Sequence, residues 1–153
     1  MPYFQPKLEF AQPDMPMFEA LVRWEHPTLG LLYPNDFLDE VLDKSSQPLF
    51  EKIVLVCIEQ ILTWREMGYN CLICINIDTR QLISDKFIEF IEGTIQQYSW
   101  LAQLISFEIT EVCNIQDEVK AQAMLSKLRQ YGFSISIDDF GTGFAAMQYL
   151  IKY

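Results

Sequence analysis

Histidine is almost missing from this 153-residue chain, with His26 the one example. Basic residues are scarce as well: 11 lysines and arginines stand against 21 acids, a formal net charge of −10. No apolar run approaches the ~18 residues that a membrane-spanning helix requires. Each shortage excludes a class of function. An acidic chain lacks the basic face that a nucleic-acid polymer or an anionic membrane would need. The cysteines are Cys57, Cys71, Cys74 and Cys113. The Cys71–Cys74 pair, in CLIC, would need a second such pair or nearby histidines to hold zinc. Cys57, Cys71 and Cys74 instead fall in apolar runs and read as small core residues, and reduced thiols suit a cytoplasmic location. His26, ahead of a proline in WEHP, reads as structural. The opening MPYFQPKLEF lacks the basic-then-apolar order of a secretion signal.

Half the residues are hydrophobic, enough for a folded domain with a core. Turn and cap signals divide the chain into strands and helices. YFQPKLEF reads as a strand that Pro6 assigns to an edge. MFEALVRW alternates, with Phe18, Ala20, Val22 and Trp24 on one face and Glu19, Leu21 and Arg23 on the other. HPTLGLLYP reads as loop. A helix capped by Asn35 is expected over NDFLDEVLDK, and a second, opened by Pro48, runs to Gly68. NCLICINID, LISFEITE and FSISIDDF read as further strands. Helices capped by Ser84 and stopped by Gly132 lie between them, and a last helix begins at Phe144. Two strands followed by alternating helix and strand imply parallel strands with crossover helices, hence a doubly wound sheet or a (β/α) barrel.

Polar residues interrupt these apolar strands at particular places. Glu19 and Arg23 lie in the second strand, Asn76 near the end of the third, Glu108 and Glu111 toward the end of the fourth, and Asp138 and Asp139 at the end of the fifth. In the last three strands the interruption falls at the C-terminal end, where parallel α/β folds build their sites. The donors are all oxygen, with no thiolate and no imidazole, which suits Mg²⁺ or Mn²⁺. Carboxylates converging without a cation would repel one another. GTGFAA loosely matches a dinucleotide-binding glycine motif. It lacks the following βαβ unit and acid, and the adjacent aspartates would repel a pyrophosphate. A two-carboxylate glycosidase is the other alternative; the asparagine and paired aspartates favour metal chemistry.

Four segments together resemble the EAL domain, the cyclic-di-GMP phosphodiesterase domain of bacterial signalling. FEALVRWEHP carries the Glu-Ala-Leu that names the family, and INIDTRQL, FEITE and IDDFGTGF resemble its later motifs in order and spacing. The resemblance covers residues 1–153 and implies an α/β fold: an incomplete (β/α)8 TIM-like barrel with roughly five of eight strands, the first antiparallel. It implies a two-metal site for Mg²⁺ or Mn²⁺ held by Glu19, Asn76, Glu108, Asp138 and Asp139, with Glu19, Asp138 and Asp139 catalytic. Arg23 would meet the dinucleotide's phosphate, Gln5 and Leu21 would line the substrate groove, and Glu111 would brace the loop after the fifth strand. The implied reaction opens cyclic-di-GMP to linear pGpG. Cyclic-di-GMP is thus the expected partner, together with a second copy or another protein.

The departures within the motifs are mild: Asp78 stands where serine is common, and Phe144, Ala145 and Ala146 replace a Tyr-Ser-Ser. Length is the larger departure, since barrels of this type need ~250 residues. The family's later Lys-Ile-Asp segment, a later glutamate ligand and a late guanine-binding glutamine are not among these 153 residues. Negligible hydrolysis by the chain alone is therefore expected, as is self-association or dependence on a partner, because an unclosed barrel leaves edges. The alternatives are a non-catalytic module that binds cyclic-di-GMP or a protein, and a remnant without function.

Overall fold

The computed structural model describes residues 1–7, 15–109 and 118–137. The chain divides into two units, Met1–Ile75 and Asn76–Tyr153. In chain order the elements are β1 (Pro2–Lys7), β2 (Met17–Val22), β3 (Trp24–His26), β4 (Gly30–Leu32), α1 (Pro34–Glu66), β5 (Leu72–Ile77), α2 (Thr79–Leu82), α3 (Asp85–Gln97), α4 (Leu101–Leu104), β6 (Ile105–Ile109), α5 (Glu118–Gln130) and β7 (Ser134–Ile137). Five strands make one sheet in the order β1-β2-β5-β6-β7, and β3 and β4 pair separately. The first strand runs antiparallel to β2, while β2 with β5 and β6 with β7 are parallel pairs. This agrees with the five strands and antiparallel first strand expected. Pro6 sits in β1, an outer strand of that order, where its missing N–H costs no central ladder bond.

In the first unit, one face of the β1–β2 pair packs on α1. Phe4 and Phe18 set their rings 5.6 and 4.7 Å from Trp64. Val54, Cys57, Ile58 and Ile61 recur at helical spacing along α1 and are buried. Every apolar residue of β5 is buried, as a strand covered on both faces should be.

Three local expectations are corrected here. The segment read as loop holds the end of β3, the turn and all of β4 of a hairpin, and β2 stops at Val22, so Trp24 belongs to β3. The turn between β3 and β4 is organised by His26, whose Nδ1 accepts the backbone N–H groups of Thr28 and Leu29, each at 3.2 Å; the structural reading of His26 fits this. The two expected helices are one, α1, which begins after Tyr33 rather than Asn35 and runs through Pro48. Pro34 supplies the preset first helical residue, and the Asp36 carboxylate accepts the Tyr33 N–H at 2.8 Å. An internal proline costs about 3 kcal/mol. The buried series from Phe50 onward offsets that cost.

In the second unit, Phe107 of β6 lies between Phe87 of α3, at 5.9 Å, and Phe133 ahead of β7, at 5.0 Å. Phe87, Ile88 and Ile91 form the buried stripe of α3. Ser84 is its N-cap residue, but its side chain makes no capping bond. Gly132 ends α5 as expected: its φ of 92° is costly for a residue with a Cβ, and the Phe133 N–H returns to the Leu128 carbonyl at 3.1 Å. The short helices α2 and α4 carry too few residues to show a period. The expected helix from Phe144 lies outside the described residues.

Candidate functional site

The face of the β1–β2 pair turned away from Trp64 carries the first group of candidates. Gln5 lies directly opposite Glu19, and Tyr3 opposite Leu21. On the other side of β2, Glu19 is level with Cys74 of β5. Directly opposed residues share a face, so Gln5, Glu19 and Cys74 form one row across three strands. Lys7 reaches the same acid: its Nζ lies 3.8 Å from Glu19 Oε2, with the Glu19 side chain 19% exposed. A lysine two residues beyond Gln5 falls on the same face by strand alternation. The sequence reading overlooked it, although its spacing was the available signal.

Arg23 follows β2 and is held by several bonds. Its N–H donates to the Met1 carbonyl at 3.1 Å, and its own carbonyl accepts from the Met1 ammonium at 2.8 Å. In the side chain, Nη1 donates to the Val22 carbonyl at 2.8 Å, and the guanidinium carbon lies 4.7 Å from the centre of the Tyr33 ring. That cation–π contact joins residues ten apart across the hairpin, and no local periodicity announces it. Nearby, the Tyr3 hydroxyl donates to Glu25 Oε1 at 3.1 Å, and this bond holds the Tyr3 proton above the usual phenol range.

The second unit holds Asn76, near the C-terminal end of β5, and Glu108, the penultimate residue of β6. Glu108 is only 7% exposed, and Ser136 Oγ of β7 lies 3.5 Å from its Oε1. The register explains that neighbour, since Glu108 and Ser136 are paired across β6 and β7. Asp78 stabilises the start of α2. Its Oδ1 accepts the Arg80 N–H at 2.7 Å, and its two oxygens take Arg80 Nε and Nη2, both at 3.1 Å. The aspartate at this position therefore has a local structural role. Asp138, Asp139 and Glu111 lie outside the described residues.

Among the described residues, no three of His, Cys, Asp and Glu gather into a group that could hold a metal. Each of the described candidates Glu19, Asn76 and Glu108 offers oxygen donors alone, the donor type that hard divalent cations prefer. The cysteines do not compete for that role. Burial pushes the Cys57 thiol up to about 12 and raises Cys71 as well, so both stay protonated near neutrality. Cys57, Cys71 and Cys74 are in no disulfide and are buried, as core residues should be.

Crossover helices, parallel strands and an antiparallel outer strand place the chain among the α/β proteins whose strand ends carry their sites. The model of the EAL domain family matches residues 1–153, and the chain belongs to that family. An uncharacterized protein of Mycobacterium tuberculosis is 36% identical over 151 residues, 96% of this chain and 24% of the relative. The cyclic di-GMP phosphodiesterase PdeR of Escherichia coli is 30% identical over 152 residues, 99% of this chain and 23% of its own. Among solved structures, the PaMucR phosphodiesterase in complex with c-di-GMP superposes with a TM-score of 0.85 at 28% identity, over 98% of this chain and 62% of that one. An EAL domain protein from Listeria monocytogenes gives 0.80 at 26% identity, over 99% and 59%. The chain thus has the fold of part of an EAL-type (β/α)8 barrel, and it spans about a quarter of the length of those curated relatives.

Proposed function

We propose that this chain supplies the N-terminal part of a metal-dependent cyclic-di-GMP phosphodiesterase site. Glu19, Asn76, Glu108, Asp138 and Asp139 would hold two divalent cations, Mg²⁺ or Mn²⁺. Arg23 would take a phosphate oxygen, Gln5 and Leu21 would border the dinucleotide, and Glu111 would brace the loop after β7. When bound, the cations supply an activated water and charge stabilisation at phosphorus. The observation that carries the reading is the close superposition on a phosphodiesterase solved in complex with c-di-GMP, in a chain whose Glu19 stands on β2 with Gln5 beside it.

Residues 1–153 by themselves would bind the dinucleotide but turn it over negligibly, because the Lys-Ile-Asp segment that the family resemblance implies for activating water is not among them. The test is equilibrium binding of cyclic-di-GMP in Mg²⁺ or Mn²⁺, with product analysis for linear pGpG. The expected result is metal-dependent binding, weakened by Glu19→Ala, without pGpG. Turnover that Glu19→Ala abolishes would refute the inactivity, and absence of binding would refute the site.

A further inference from the structure

Tyr33 departs from the polar pattern that marked the candidate site, yet its ring covers the side chain proposed to meet the phosphate. We propose that Tyr33 is a positioning residue: its ring holds the Arg23 guanidinium plane ready for a phosphodiester. The inference rests on the reading of Arg23 given above.

The geometry restrains both partners. The backbone of Tyr33 is fixed where α1 begins, because its N–H is bonded to Asp36 Oδ2 at 2.8 Å and its carbonyl accepts the Asp36 N–H at 2.9 Å. Pro34 follows directly and restricts Tyr33 to extended backbone, and its φ of −94° and ψ of 163° lie there. From that anchor the ring lies over the guanidinium, 4.7 Å from its central carbon. The Val22 carbonyl takes one N–H of the same group at 2.8 Å. One N–H of the planar cation is thus occupied, and its central carbon lies over the ring. A guanidinium carries five N–H donors in a fixed fork, so one such bond and the ring contact still leave donors for a phosphodiester.

A long arginine side chain loses considerable rotamer freedom when it is fixed on a ligand. A ring that fixes it beforehand removes part of that loss from the binding step. The weak hydration of a guanidinium makes its contact with a ring cheap; a lysine at this place would lose the fork. Tyr33 is 54% exposed, so the ring contributes little to the core, and its removal leaves the packing of α1 on Phe4 and Phe18 untouched.

The test combines binding and spectroscopy on the 153-residue chain. Cyclic-di-GMP affinity is measured for wild type, Tyr33→Leu, Tyr33→Phe, Arg23→Met and the double variant Arg23→Met/Tyr33→Leu. Tyr33→Leu is expected to weaken binding about two- to fivefold, the worth of an exposed cation–π contact. Tyr33→Phe keeps the ring face and recovers most of that loss. Arg23→Met weakens binding about tenfold or more, and adding Tyr33→Leu to it has no further effect. In the ligand-free protein, the Arg23 Nε–H resonance is shifted upfield by the ring, a shift kept in Tyr33→Phe and lost in Tyr33→Leu. Wild-type affinity in Tyr33→Leu, or an equal loss in the Arg23→Met background, would overturn the inference while leaving the proposed site standing. Absence of binding by the wild type would overturn both.

Discussion

Glu19 and Glu108 are the same side chain on strands of the two units, and their surroundings differ. Glu19 stands on β2 beside the outer strand β1, with its side chain 19% exposed and Lys7 at 3.8 Å. Glu108 is 7% exposed on β6, a strand whose five residues are all buried. An acid near a sheet edge shares its charge with water and a neighbouring lysine, an arrangement worth little in stability. An acid in a buried strand depends on groups the protein supplies, such as Ser136 Oγ at 3.5 Å. The scaffolds differ in the same sense. The aromatic contacts of Trp64 in the first unit involve the half-buried Phe4 and Phe18, whereas Phe107 in the second is fully buried between two rings.

The largest effect should come from breaking that scaffold. Phe107→Ala empties a site between Phe87 and Phe133 and is expected to cost about 3–5 kcal/mol, read as a lowered urea midpoint. Phe4→Ala, from a half-buried strand at the sheet edge, should cost less than half as much. Equal losses would erase the contrast between the units. The metal-binding contrast is next in size. If cations are held as proposed, Mn²⁺ at a hundred times its dissociation constant should stabilise the wild type by about 2.7 kcal/mol. A tenfold loss of affinity in Glu19→Gln or Glu108→Gln would cut that to about 1.4 kcal/mol at the same Mn²⁺ concentration. Thermal shift with and without Mn²⁺ reads both variants. A full shift in either one would remove that residue from the ligand set and leave the other.

The elements that the sequence made legible are those whose signal is local. Pro6 marked an edge strand, Gly68 and Gly132 marked helix ends with φ of 87° and 92°, and the apolar run of β5 marked a strand buried on both faces. The motif spacing marked Glu19, Asn76 and Glu108 as candidates on three strands. The misreadings share one cause, a local signal outweighed by a neighbour. Pro48 looked like a helix start, but α1 runs through it from Pro34 to Glu66. Asn35 looked like a cap, but Pro34 and Asp36 set the cap two residues earlier, at Tyr33. Lys7 beside Glu19, Tyr33 over Arg23 and Ser136 beside Glu108 depend on strand register or on a turn bringing distant residues together. A linear reading of propensities carries no such information until the pairings of β1 with β2 and β6 with β7 are known.

The smallest effect separates a tight surface pair from the loose one at Glu19. Glu92 of α3 accepts both Lys127 Nζ and the Tyr131 hydroxyl on the same oxygen, each at 2.6 Å, against 3.8 Å for Lys7 and Glu19. The Lys127 ammonium, and then the Tyr131 hydroxyl, hold the Glu92 carboxyl below its ordinary 4.5. Its hydrogen bonds in turn raise Lys127 above 10.5 and Tyr131 above 10.0. The signs give a plateau. A lowered carboxyl contributes stability above its unfolded value, lost as pH falls through the folded one. The raised lysine and tyrosine contribute below their unfolded values, and that contribution is lost as pH rises through their folded ones. Glu92→Gln should therefore unfold at slightly lower urea than wild type at pH 7, with the gap narrowing once pH drops below 4.5 and again above about 10. A gap that stays constant at acid pH would mean that Glu92 links α3 to α5 through packing rather than charge.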